Sequence, residues 1–157
     1  MTRLDTRNLV RRKAPAFAFK KAQSLVLPDW EISLVFAPPE AAQDLNRRLR
    51  RKTYTPNVLS YPTGKKSGEI VICLDVAKEQ APDYGMSYPH FTGYLFIHGL
   101  MHLKGRRHGS TMEKAERQVM SRVLGASLPR VASKSSNEKT HRSRNRHRHA
   151  PSKGRRR

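Results

Sequence analysis

The chain has 157 residues and a formal net charge of +20, a length with room for one domain of ordinary size. Its single cysteine, Cys73, rules out an internal disulfide, and no apolar run approaches the roughly 18–20 residues that span a bilayer. The charge is uneven: residues 130–157 carry eleven Lys or Arg against one acid, Glu138, so half the excess sits in under a fifth of the length. A field of this sign attracts polyanions, and nucleic acid is the commonest of these in a cell.

In chain order, Arg11-Arg12-Lys13 is followed by no apolar stretch and cleavage site, so no secretory leader is expected. Phe17 to Leu27 mixes apolar and basic residues and predicts a short helix ending before Pro28. Glu31 to Phe36 predicts a strand closed by Pro38-Pro39. Glu40 to Lys52 predicts a helix with Ala41, Ala42, Leu45 and Leu49 on one face and Arg47, Arg48 and Arg51 largely off it. Asn57 to Tyr61 is a short extended segment, and Gly64 to Gly68 a turn around Lys65-Lys66. Glu69 to Leu74 predicts a buried strand in which Cys73 is a small hydrophobe.

Phe91 to about Leu103 predicts a strongly apolar helix, with His90 at its entry. Ser110 or Thr111 can cap a last helix running to Leu124 and stopped by Gly125, with Ser110 and Glu113 at capping-box spacing. Strands and helices are therefore interleaved. The expected fold is α+β: a small mixed sheet packed with helices, with residues 1–128 as one domain. Residues 129–157 are almost without apolar side chains and are expected to be a disordered basic tail, to which His141, His147 and His149 belong.

Residues 98–108 read His-Gly-Leu-Met-His-Leu-Lys-Gly-Arg-Arg-His. His98 and His102 stand four apart on a predicted helix, so their rings share one face. Gly105 lets the backbone leave the helix in a left-handed conformation, and the turn can bring His108 beside the first two. Three neutral imidazoles leave a tetrahedral ion one open position, which is the ligand pattern of catalytic zinc. A closed structural site usually has four protein ligands and favours Cys, which this region lacks. We therefore expect one Zn2+, or another divalent transition metal, on His98, His102 and His108.

The same spacing occurs in metzincin proteases, which carry a Glu general base beside the first His. Here that position is Gly99, so the protease reading is disfavoured. The block instead resembles the YbeY family of metal-dependent endoribonucleases of ribosomal RNA maturation, and matches its His-Gly-x-x-His-Leu-x-Gly-x-x-His signature at every fixed position. Leu45-Asn46 with Arg50, then Asn57-Val58-Leu59-Ser60-Tyr61-Pro62, resembles a second family block, and Gly68-Glu69-Ile70-Val71-Ile72 a third. The resemblance covers about residues 31 to 125. Arg106-Arg107 replace the family's usual Tyr-Asp before the third His, and Thr55-Pro56 its Pro-Thr.

That resemblance implies the three histidines as metal ligands and Arg50 as the catalytic or substrate-binding arginine. A guanidinium can bind and stabilise developing phosphoryl charge bidentately. Arg47, Arg48 and Arg51 beside it can equally be solvated charge, and only the spacing to Asn46 and Asn57 singles out Arg50. Ser60, Arg106 and Arg107 are candidate substrate contacts. The implied partners are ribosomal RNA and the small ribosomal subunit or its proteins, in the cytoplasm, with no membrane. The implied reaction is zinc-dependent, single-strand-specific RNA cleavage in 16S-type 3′-end maturation and ribosome quality control. Whether water or a ribose 2′-OH attacks is left open. The competing reading is an RNA- or ribosome-binding assembly factor with a mainly structural metal site, which the basic tail favours.

Overall fold

A computed structural model describes residues 1–126. The expected disordered tail, residues 129–157, lies outside the described residues. A four-stranded mixed sheet has the order β1-β2-β4-β3. Its strands are β1 (Arg3–Asn8), β2 (Glu31–Ala37), β3 (Val58–Gly64) and β4 (Ser67–Cys73). β1, β2 and β4 run parallel, and β3 runs antiparallel to β4 at the edge. Five α-helices complete the α+β architecture: α1 (Phe19–Val26), α2 (Pro39–Arg50), α3 (Leu74–Gln80), α4 (Tyr88–Leu103) and α5 (Ser110–Leu124). None of the described helices is long and apolar enough to cross a membrane.

Pleating assigns the strand side chains to two faces. Ile32, Leu34, Phe36, Ile70 and Ile72 join α1, α4 and α5 in the main core. Val35, Ala37, Leu59 and Val71 form a smaller core on the other face, with Leu45 of α2 and Tyr61 against it. Cys73 is fully buried, as its apolar neighbours predict, and burial pushes its thiol pKa up.

Several elements differ from the sequence expectation. β1 is polar except for Leu4, and backbone pairing recruits it to β2. The buried Gln23 of α1 fastens that corner, donating from Nε2 to the carbonyls of Arg3 (3.1 Å) and Trp30 (2.7 Å). β4 ends at Cys73, and Leu74 opens α3 instead of continuing the strand. α2 buries Ala42 and Asn46, while Leu49 is exposed, so its inward face is offset from the purely apolar one. The physical reason is Asn46, whose Nδ2 donates to the Tyr54 carbonyl at 2.9 Å and ties down the chain after the helix. α4 starts three residues before Phe91, capped by Ser87, whose hydroxyl accepts from the His90 N–H at 3.3 Å. α5 has Gly109 at its N-cap with no side-chain cap bond, so the Ser110 capping box does not form.

α4 lies close on the sheet because position 99 has no side chain. A Cβ there would stand 3.0 Å from Ile70 Cγ2 and 3.2 Å from its Cδ1. A Glu at this position would be directed at the sheet core. Gly99→Val should lower stability by about 1–3 kcal/mol, the usual penalty for overpacking a filled core. Urea unfolding measures it, and an unchanged midpoint would contradict the close helix–sheet contact.

Candidate metal centre

α4 is buried on almost every side. Phe91, Leu95, Phe96, Ile97, Gly99, Leu100 and Met101 are all covered. Tyr94, His98 and His102 follow one another at intervals of four and form the half-buried strip between the covered faces. After α4, Gly105 takes a φ of +89°, and the turn returns the chain so that His108 faces the first two rings just before α5.

One ring nitrogen from each of the three histidines lies within 4.8 Å of the other two. The ring centroids are 4.6 Å apart for His98 and His102, 5.0 Å for His98 and His108, and 4.4 Å for His102 and His108. His98 Nε2 and His102 Nε2 are 3.1 Å apart. The opposite nitrogens are already engaged. His102 Nδ1 donates to the Arg106 carbonyl at 3.2 Å, and His98 Nδ1 donates to Glu116 Oε1 at 2.7 Å. These bonds place a hydrogen on each Nδ1 and turn both Nε2 atoms toward the same point. Facing lone pairs repel unless a cation lies between them, and three converging imidazoles are a donor set suited to a divalent transition metal.

The local electrostatics favour the neutral form of His102 and His108, as ligation requires. Burial lowers the His102 pKa to about 4, and the neighbouring His98 and His108 add to that effect. His108 is also lowered, first by burial, then by His98, with a further contribution from the Arg50 cation. Arg50 is the last residue of α2, exposed, with Nη1 donating to the Tyr54 hydroxyl at 3.1 Å. The buried Asn46 holds the Tyr54 carbonyl, so Asn46, Tyr54 and Arg50 are linked in series.

Ser60 sits on the edge strand β3 opposite Ile70. Alternation puts it on the same sheet face as Ile70, which packs under Gly99 beside His98. Arg106 and Arg107 are exposed in the turn. The Arg106 carbonyl serves His102, while Arg106 also lines a groove of about 580 Å³ with Leu25, Val26, Met101 and Val119, on the α1 and α5 side.

Sequence reasoning missed Glu116, which is 1% exposed on α5 and bonded to His98. The available signal was a carboxylate on the apolar stripe Met112, Glu116, Val119 and Val123, where a solvated acid does not belong. It also missed Tyr94, whose hydroxyl donates to Glu116 Oε2 at 2.9 Å.

The pKa of His102 gives a signed pH dependence. An unfolded imidazole titrates near 6.5, while His102 in the fold stays neutral down to about 4. Across that window the unfolded chain binds more protons, so the metal-free protein loses stability as pH falls from 6.5 toward 4. Urea midpoints over a pH series, with chelator present, should show this slope, and His102→Ala should flatten it. A slope of opposite sign would contradict the packing of the three rings.

The family model described as Endoribonuclease YbeY matches residues 3–128. A Staphylococcus carnosus protein named Endoribonuclease YbeY is 33% identical over 110 residues, covering 62% of this chain and 72% of that one. One of the same name from Alkaliphilus metalliredigens is 38% identical over 104 residues, covering 59% of this chain and 65% of its own. The solution structure of TM1509 from Thermotoga maritima shares the fold, with a TM-score of 0.55 at 17% identity, covering 78% of this chain and 89% of that one. With a match over most of its length and the three histidines brought together in space, the chain belongs to the Endoribonuclease YbeY family.

Proposed function

We propose that this chain cuts single-stranded ribosomal RNA at a single zinc ion held by His98, His102 and His108, with Arg50 as the residue that stabilises phosphoryl charge. The endoribonuclease class comes with family membership. The finer reading has the protein acting in 16S-type 3′-end maturation and ribosome quality control, with the small ribosomal subunit as partner, in the cytoplasm. The observation that supports metal-centred cleavage is the convergence of three imidazole nitrogens within 4.8 Å, with no carboxylate or thiolate in the cluster among the described residues. Such a set leaves a coordination position for a reacting group, whereas a structural zinc is usually closed by four protein ligands.

A zinc ion bound here supplies Lewis acidity, which lowers the pKa of water and stabilises charge on a phosphoryl oxygen. The protein's own residues do the rest. Arg50, held by Tyr54, presents a fork of N–H donors to the non-bridging oxygens as charge develops. Ser60 offers a hydroxyl from the strand edge, and Arg106 and Arg107 bring cationic charge to the rim of the cluster. Glu116 is fully occupied by His98 and Tyr94 and faces away from the Nε2 side, so it is not placed to take a proton from the nucleophile. The basic residues 129–157 raise encounter rate and affinity for RNA in a salt-dependent way, with residues 1–128 as the catalytic unit.

Single-turnover cleavage of a single-stranded ribosomal RNA fragment tests this directly. Arg50→Ala should slow cleavage about 10²–10³-fold with zinc still bound, Arg50→Lys should recover part of that, and His102→Ala should abolish cleavage. A 2′,3′-cyclic phosphate on the product identifies the 2′-OH as nucleophile, and a direct hydrolytic end identifies water. RNA binding with no metal-dependent cleavage would instead favour the assembly-factor reading.

A further inference from the structure

Glu116 is a carboxylate with 1% exposure, set on the apolar stripe of α5. Among the described residues its ion-pair partner is His98, and no Lys or Arg neutralises it. Both of its oxygens are used: Oε1 accepts from His98 Nδ1 at 2.7 Å, and Oε2 accepts from the Tyr94 hydroxyl at 2.9 Å. Burying a carboxylate is costly unless hydrogen bonds and a counter-charge compensate it. The two hydrogen bonds are present, and any counter-charge must reach Glu116 through the His98 ring.

The hydrogen bonds of His98 give that route one geometric address. His98 points Nδ1 at Glu116 and Nε2 at His102, so a cation among the three rings lies directly across the His98 ring from the carboxylate. Tyr94 is one helical turn before His98 on the same strip of α4, and burial together with the nearby Glu116 charge raises its pKa, so it stays a phenol donor. The carboxylate is thus pinned from one side by Tyr94 and pins His98 on the other.

We propose that Glu116 and Tyr94 are positioning residues of the metal centre: Glu116 fixes the orientation and tautomer of His98 and supplies the buried counter-charge of the ion, and Tyr94 holds Glu116 in place. Neither touches the ion or the substrate, and both act through His98. A ligating histidine whose other nitrogen donates to a carboxylate is a stronger and better oriented ligand. This inference rests on the metal site proposed above, but not on the identity of the RNA that is cut.

The test uses the full chain at pH 8, stripped of metal and titrated with Zn2+ against a chromophoric chelator, alongside melting of the metal-free and zinc-loaded forms. Glu116→Gln keeps an acceptor for His98 and a polar group beside Tyr94 while removing the charge. It should weaken zinc binding about 10-fold, and Glu116→Ala up to about 100-fold. Tyr94→Phe should produce a smaller loss in the same direction. The signature is a divergence between the two melting measurements. Zinc-loaded Glu116→Gln should lose clearly more melting temperature relative to wild type than metal-free Glu116→Gln does, because its weaker zinc binding adds less stabilisation.

Zinc affinities of Glu116→Gln and Tyr94→Phe within twofold of wild type would overturn the inference, even where Glu116→Ala fails to fold. So would equal drops in both melting temperatures at unchanged affinity, which is the mark of packing alone. Wild-type protein that binds no zinc would overturn this inference and the proposed metal site together. Wild-type protein that binds zinc, leaves RNA uncut and loses affinity in the variants would uphold this inference and remove the endoribonuclease reading.

Discussion

The packing of α4 between the sheet and α5 is the constraint on which the rest depends. The helix buries apolar side chains on nearly all sides, and Gly99 brings it close enough to β4 that a side chain there would press on Ile70. A helix held so tightly cannot rotate or slide without breaking the core. Its uncovered strip is therefore fixed in space, and that strip carries Tyr94, His98 and His102. Rigid elements are the right support for a metal ligand set, because ligand geometry must be held to fractions of an ångström. Gly105 then does for the third histidine what the helix does for the first two, turning the chain at a φ that other residues rarely adopt and setting His108 against the pair.

Charge is arranged around this centre in two layers. Behind the rings, inside the core, is one carboxylate that faces the imidazoles and is shielded from water. At the surface, Arg50, Arg106 and Arg107 are exposed cations, Arg106 lining the groove on the α1 and α5 side. The inner negative charge favours a cation among the rings, and the outer positive charges favour an anion approaching from solvent. A phosphodiester backbone meets both conditions, since its non-bridging oxygens can bind a metal and a guanidinium together. Arg50, which the proposed reading assigns to phosphoryl charge, is tied to Tyr54, and the buried Asn46 of the Leu45-Asn46 motif holds the Tyr54 carbonyl.

Much of this was legible from the residues. The spacing of His98 and His102 fixes their shared face because helical geometry leaves no alternative, and Gly105 marked the turn that brings His108 back. Strands β2 and β4 were legible as apolar runs because both of their faces are covered. β1 was not, since almost nothing in Arg3–Asn8 but Leu4 meets the core, and its strand state comes from pairing with β2. α3 was hidden because Leu74 extends the apolar run of β4, and the change from strand to helix at that point is set by tertiary packing. The inward face of α2 was offset because a buried Asn looks like a surface residue in a hydropathy pattern. Glu116 stood out only as an acid on an apolar stripe, and its partner could not be read from the sequence. It stands eighteen positions from His98, and only the packing of α5 on α4 joins them.

X-ray absorption at the zinc edge of the purified, metal-loaded chain tests the central claim most directly, because it reads the ligands themselves. One ion per chain is expected, with a shell of three imidazole nitrogens at about 2.0–2.1 Å and at least one oxygen from solvent. Replacing His102 by Ala should remove one imidazole from that shell or empty the site. A bound ion without imidazole scattering, or one unaffected by loss of His102, would show that the three histidines of α4 and its turn are not the metal centre.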